Sequence, residues 1–212
     1  MLTLYGFARV NAGARGNTRD LRVLWALEEI GLPYEIAGMD HPNHDLDTPA
    51  YRALNPFGQI PVIDDDGVVV SESGAILLYL ARKSGKLMPR DLAGEAQVHR
   101  WCFTALTTIE VPVLSLWFVN LSGGKGTKPS DALQGWAEMR LEQLDGWMAD
   151  REFVATGDFT VADILMTHVL DAGTDSEMLK AYPNLVAYRT RCTERPAWKK
   201  TREAYDERVS AA

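Results

Sequence analysis

Residues 55–76 read NPFGQIPVIDDDGVVVSESGAI, and two features of the stretch bear on chemistry. The β-branched runs at 62–63 and 68–70 flank Asp66-Gly67, the signature of a tight hairpin. Yet Pro61 stands at the mouth of the first run, and a proline cannot donate to a sheet ladder. Glu72 and Ser73 close the second run, where a strand passes into a helix. The first N–H groups of a helix lack intrahelical partners and favour an anion, so a hydroxyl and a carboxylate there could hold a group of each charge. Equally, Ser71 or Ser73 could cap the helix while Glu72 complements its dipole. On these residues alone both readings stand.

The elements that must position them alternate in type over the first eighty residues. Residues 2–5 read as a strand, and 19–30 as a helix with Leu21, Leu24, Leu27 and Ile30 at threefold spacing, stopped by Gly31 and Pro33. Residues 34–37 read as a second strand, the hairpin follows, and 72–83 (ESGAILLYLARK) as a helix. This βαβ-ββα order fits a small mixed sheet covered by helices, an α/β thioredoxin-like domain over residues 1–82. A Gly-, Pro- and charge-rich linker follows at 83–92. Residues 93–212 read as an all-α bundle. Trp101, Ala105 and Thr108, with Leu106 and Ile109, follow helical spacing; a glycine-rich loop interrupts at 123–126; Trp136, Met139, Leu141, Leu144 and Trp147 resume it. In FTVADI (159–164), Thr160 and Asp163 form a capping box with Phe159 and Ile164 as its staple.

Composition narrows the function classes. The chain of 212 residues is 46% apolar and carries only Cys102 and Cys192, with no ligand spacing for zinc and no disulfide framework. The aspartates at 64–66 suit a solvated turn better than a metal. A net charge of −7 disfavours nucleic acid and anionic membranes as partners. The longest unbroken apolar run, 75–81, is too short to span a bilayer, and a cytoplasmic protein is expected.

Five segments in order resemble the glutathione transferase family: RVLWALEEIGLPYE (22–35), NPFGQIPVI (55–63), SESGAILLYLA (71–81), FTVAD (159–163) and YPNLVAYRTRCTERPAW (182–198). The resemblance implies a thioredoxin-like domain followed by a helical one, usually in a homodimer, with glutathione as co-substrate and no metal. It further implies that Pro61 is cis, so that Ile60 offers its N–H and C=O to the cysteinyl unit of glutathione as an added strand would. Ser73 would then hold the γ-glutamyl carboxylate, Glu72 the ammonium group, and Gln59 a further part of the ligand.

The chemistry needs a thiolate. One hydrogen-bond donor at a helix start would lower the thiol pKa by roughly 1.5–3 units. No cysteine precedes Cys102, so the chain resembles the bacterial-type Ser/Thr-like branches rather than the Cys-type. Thr18 is the expected donor, doubling as an N-cap, with Asn17 and Tyr5 as alternatives because the 6–17 loop is longer than usual. Phe7, Trp101, Ala105, Thr108, Trp117 and Tyr205 are candidates for the electrophile site. Arg9, Arg15 and Arg19 would suit an anionic electrophile, and His41 and His44 could approach the glycine carboxylate. The implied activity is conjugation of glutathione to a small hydrophobic electrophile, as in detoxification. Reduction, dehalogenation, isomerisation or a non-catalytic binding role are the alternatives on the same fold.

Overall fold

The computed structural model describes residues 1–174 and 176–211. They form two compact units: Met1–Lys86 together with the segment from Arg195 onward, and Leu87–Glu194. The sequence reading groups residues 93–212 in one domain, whereas residues from 195 cluster with the N-terminal unit.

That unit runs β1 (Leu2–Val10), α1 (Asp20–Ile30), β2 (Tyr34–Asp40), α2 (Pro49–Leu54), β3 (Val62–Asp65), β4 (Val68–Ser71) and α3 (Ser73–Ser84). The sheet order is β2-β1-β3-β4, with β1 parallel to β2 and antiparallel to β3, and β3 antiparallel to β4. Parallel neighbours need a crossover, which α1 supplies. Leu21, Leu24, Leu27 and Ile30 of α1 and Ile76, Leu77 and Leu80 of α3 are buried together with Leu2, Leu4, Val62 and Ile63 of the sheet. Gly31 ends α1 in the left-handed conformation at φ 75°, its N–H on Leu27 O. Asp66 (φ 52°) and Gly67 (φ 91°) are both left-handed, as a two-residue hairpin turn requires.

Two expectations change. β1 is twice as long as expected, because its outer half pairs with β2 as far as Arg9 opposite Asp40. The first five residues of the anticipated 6–17 loop are therefore strand. Helix α2 carries no readable periodicity at six residues, but it has a capping signal: Thr48 accepts from Tyr51 N at 3.3 Å and Pro49 opens the first turn.

The helical unit comprises α4 (Leu92–Phe103), α5 (Glu110–Val119), α6 (Lys128–Met148), α7 (Val161–His168), α8 (Ser176–Leu179) and α9 (Pro183–Thr193). Between α4 and α5 the chain widens into a π-helical turn, Thr104–Ile109, just ahead of Pro112, which has no N–H to continue the ladder. The capping box forms, and Asp163 also accepts from Val154 N (2.8 Å) and Tyr188 OH (2.9 Å), so its role is structural. Ala137, Leu141, Leu144 and Met148 turn the inner face of α6 inward. Trp136 and Met139, which share the helical spacing read from the sequence, are 37% and 44% exposed. The continuous helical stretch Leu92–Gly124 is long and apolar enough, by length and composition, to cross a membrane. A search for unbroken apolar runs passes over it because Glu95, His99, Arg100 and Glu110 interrupt it. Its buried residues Val98, Trp101, Ala105, Ile109, Val113 and Leu116 recur at helical spacing, the pattern of a bundle core helix.

The last helix, α10 (Pro196–Arg208), packs on α1, and the short β5 (Ser210–Ala211) adds to the end of β1. Trp198 lies against Trp25 with ring centroids 4.6 Å apart, and Arg195 grips Glu29 through two bonds of 2.6 and 2.8 Å. α1 is therefore enclosed on more than its sheet-facing side, which is why Arg22, Val23, Trp25 and Ala26 are buried too.

Candidate functional site

Register brings the chemistry-bearing residues together. Val62 pairs with Ser71 on one side and with Tyr5 on the other. Ile60-Pro61 and Glu72-Ser73 therefore leave the sheet at the same end, beside Gly6 and Phe7, where β1 runs on paired with β2 alone.

The Ile60–Pro61 peptide is cis. Neither the N–H nor the C=O of Ile60 pairs with another group among the described residues, so the segment presents an open backbone edge. The edge is held from behind. Gln59 O accepts from Tyr51 OH at 2.9 Å and from Asn55 Nδ2 at 2.8 Å, while Asn55 Oδ1 accepts from Phe57 N. Asn55 is 2% exposed, and burial pushes the Tyr51 phenol up. These contacts explain the NPFGQ run: a buried asparagine organises the turn and Gly58, at φ 59°, permits it. The Gln59 side chain itself is exposed.

Glu72 precedes α3 at φ 70°, ψ 117°, a costly conformation for a non-glycine residue and one that concentrates at functional sites. Its side chain is exposed and makes no capping bond. Ser73 is 5% exposed, and its Oγ accepts from Arg22 Nη1 at 3.1 Å. Arg22 is 1% exposed and was not singled out from the sequence.

The start of α1 differs from expectation. Thr18 is not the N-cap, a position taken by Arg19. It is buried, and its Oγ1 lies 2.7 Å from Tyr205 Oη, which also accepts from Gly16 N at 3.3 Å. Its hydroxyl also bonds to Asp20. Asp20, fully buried, accepts from Phe7 N at 3.0 Å and lies 3.9 Å from the Arg208 guanidinium. Burial pushes the Asp20 carboxyl up, against the pull of Thr18, the Phe7 amide and Arg208. A hydroxyl has a single proton to give, and that of Thr18 is spent within this network. Asn17, the preceding residue, is exposed, and its carboxamide makes no hydrogen bond among the described residues. Tyr5 is half-buried, edge-on to Tyr51 at 5.9 Å and packed against Ile60 and Val62.

The remaining candidates divide. Tyr205 and Ala105 are fully buried, and Trp101, 5% exposed, packs against Trp147 with ring centroids 5.0 Å apart, so all three serve as core. Phe7 and Thr108 are half-buried and Trp117 is 43% exposed. Two of the loop arginines are engaged within the protein: Arg15 donates to Val209 O and Asp206 O, both at 2.8 Å, satisfying the end of α10, and Arg9 pairs with Asp40. Arg202 donates to Gly16 O at 2.6 Å from the other side. His44 pairs with Asp47, and His41 meets the edge of Phe7. No cluster able to hold a metal occurs among the described residues.

Comparison with known proteins accords with this geometry. Residues 21–83 match the model of the glutathione S-transferase N-terminal domain and 108–196 that of the C-terminal domain. Glutathione S-transferase 3 of Schizosaccharomyces pombe is 30% identical over 199 residues, covering 85% of this chain and 81% of that protein. Hematopoietic prostaglandin D synthase of Gallus gallus is 31% identical over 189 residues, covering 86% and 88%. Among solved structures, a glutathione transferase family member from Pseudomonas fluorescens Pf-5, with two glutathione bound, superposes with a TM-score of 0.82 at 26% identity, covering 95% of this chain and 92% of that one. A glutathione transferase from Burkholderia graminis, with two glutathione molecules bound per subunit, gives 0.81 at 27% identity over 96% and 88%.

Proposed function

The chain belongs to the glutathione transferase family, and from that premise we propose that it binds reduced glutathione along the open edge of Ile60 and transfers its thiolate to a small hydrophobic electrophile. The observation that carries the reading is the placement of an unpaired backbone edge and a helix start bearing Glu72 and Ser73 at one end of the same hairpin. The cysteinyl backbone pairs with Ile60, the γ-glutamyl carboxylate meets Ser73 and the first turn of α3, and the ammonium group meets Glu72.

Thiolate stabilisation falls to Asn17. It is exposed at the entry to α1, where the helix dipole favours a negative charge, and its Nδ2 is a donor with no competing acceptor among the described residues. Thr18 supports it from behind. The thiol proton passes to solvent; the sulfur lone pair attacks the electrophilic carbon and forms a C–S bond. The displaced electron pair leaves with the leaving group or, in an addition, is protonated from water. Phe7, which packs against the cluster of Ile60 and Val62, retains surface for the second substrate.

One relative is named a prostaglandin D synthase, so the fate of the adduct is the point to test. Mass spectrometry of products from a panel of electrophiles should show a stable glutathione adduct. Regenerated or oxidised glutathione would instead assign isomerisation or reduction on the same first site. Absence of glutathione binding in calorimetry at millimolar ligand would leave only a binding protein of this fold. We place the protein in the cytoplasm, in keeping with two buried cysteines that form no disulfide, and assign it a detoxifying role as a homodimer.

A further inference from the structure

Ser73 is the first residue of α3, after Glu72 at the N-cap position, and its Oγ accepts from Arg22 Nη1 at 3.1 Å. We propose that Arg22 is a positioning residue for carboxylate recognition, acting through Ser73 on the α-carboxylate of the γ-glutamyl unit; this deepens, and rests on, the glutathione reading above.

Three physical effects act in the same direction. A serine hydroxyl has one proton and two lone pairs, and it rotates to suit its neighbours. A guanidinium can only donate, so with Arg22 against the oxygen the Ser73 proton is directed away from Arg22, as a donor to an incoming anion. A serine at a helix start otherwise tends to turn its oxygen onto nearby backbone N–H groups. The second effect is electrostatic. Arg22 is charged at every accessible pH, and at 1% exposure its field is poorly screened, adding to the positive end of α3. The third is geometric. Arg22 lies on α1, five residues after Asn17, so its bond to Ser73 fixes the start of α3, which binds the γ-glutamyl end, relative to the start of α1, which meets the sulfur.

The test compares two ligands by calorimetry: glutathione and 4-aminobutanoyl-cysteinylglycine, which keeps the amine, thiol and glycine but lacks the α-carboxylate. The wild-type protein should prefer glutathione by about ten- to a hundredfold, the range of a charge-assisted hydrogen bond. In Arg22→Met the preference should fall below about threefold while affinity for the carboxylate-free ligand stays within about twofold of wild type. Ser73→Ala should lose the preference as well, and adding Arg22→Met to it should change it no further, since the two act as one unit. Equal weakening of both ligands by Arg22→Met would reduce Arg22 to a structural role and overturn the proposal, as would a preference left intact or fully additive losses. Should circular dichroism show the Met variant unfolded, Arg22→Gln, which keeps a donor without the charge, decides: a reduced preference supports the proposal and an undiminished one overturns it. A wild-type protein that binds neither ligand would remove the glutathione reading itself, and one that binds both equally would remove only the carboxylate assignment.

Discussion

Asn17 and Thr18 are neighbours with opposite fates. Thr18 Oγ1 is enclosed between Tyr205 and Asp20, whereas Asn17 stays at the surface. Asn17→Ala should therefore raise the pKa of bound glutathione by about 1–2 units, the equivalent of one charged hydrogen bond, followed as ultraviolet thiolate absorbance against pH. Thr18→Val should leave that titration in place and cost about 1–3 kcal/mol of stability in urea, because buried partners lose their bonds. The reverse pattern would return the thiol to Thr18, and loss of the shift in Tyr5→Phe alone would move it to Tyr5. Asp20 makes a separate prediction. Burial raises its folded-state pKa above the ordinary 3.8, so between that value and the raised one the folded chain holds a proton that the unfolded chain has released. Stability contributed by this group is thus fully present below pH 3.8 and lost as pH rises through the folded value. The wild-type protein should accordingly lose stability relative to Asp20→Asn across that window. A difference independent of pH in parallel urea titrations would mean that Asp20 is not protonated in the fold. The sequence offers Thr18, Asn17 and Tyr5 as donors but cannot choose among them, since Asp20 looks like an ordinary acidic residue in a first helical turn, and the residue that encloses Thr18 lies 187 positions away.

At the scale of elements, the hairpin made much of the site legible. An Asp-Gly turn of two residues sets the β3–β4 register, so a proline before one strand and a Glu-Ser pair after the other have to emerge side by side. What holds the edge was not legible, because α2 is too short to show a period and Asn55 reads as part of a polar turn. Tyr51 and Asn55 both donate to Gln59 O, so Tyr51→Phe and Asn55→Ala should each cost about 0.5–1.5 kcal/mol of stability. Both should also weaken glutathione binding, which titration of the two variants checks; unchanged affinity would mean that the edge is set by Pro61 and the ladder alone. The Arg22 bond between α1 and α3 was missed for a different reason: between Leu21 and Val23 an arginine passes for the solvent face of an amphipathic helix, whereas it is 1% exposed and bonded to Ser73. The packing of α10 on α1 gives Trp198 its weight. Trp198→Ala should cost about 3–5 kcal/mol and lower the midpoint of the N-terminal unit, measured by denaturant titration. A change under about 1 kcal/mol would show that α10 is an ornament to α1 rather than part of its core.

For the whole molecule, the alternation of strand and helix followed by helix alone specified a thioredoxin-like unit and a helical one. It could not assign residues 195–211, whose affiliation depends on contacts such as Arg195 with Glu29 and Arg15 with Val209 rather than on any local pattern. The same limit applies to the outer face of the helical unit. Phe103 (62% exposed), Phe118 (59%) and Leu121 (67%) lie on the long helical stretch Leu92–Gly124, whose composition alone would also admit a bilayer. A net charge of −7 opposes docking on an anionic membrane, whereas a second copy of the chain could cover apolar surface of this kind. Sedimentation equilibrium should thus give twice the 23.5 kDa chain mass, and Phe118→Glu should shift the population towards the single-chain mass by placing like charges on two apposed surfaces. Flotation with anionic vesicles should leave the protein in the aqueous fraction. A single-chain mass for the wild type would refute the dimer, and co-flotation that Phe118→Glu abolishes would transfer the same residues to a membrane contact.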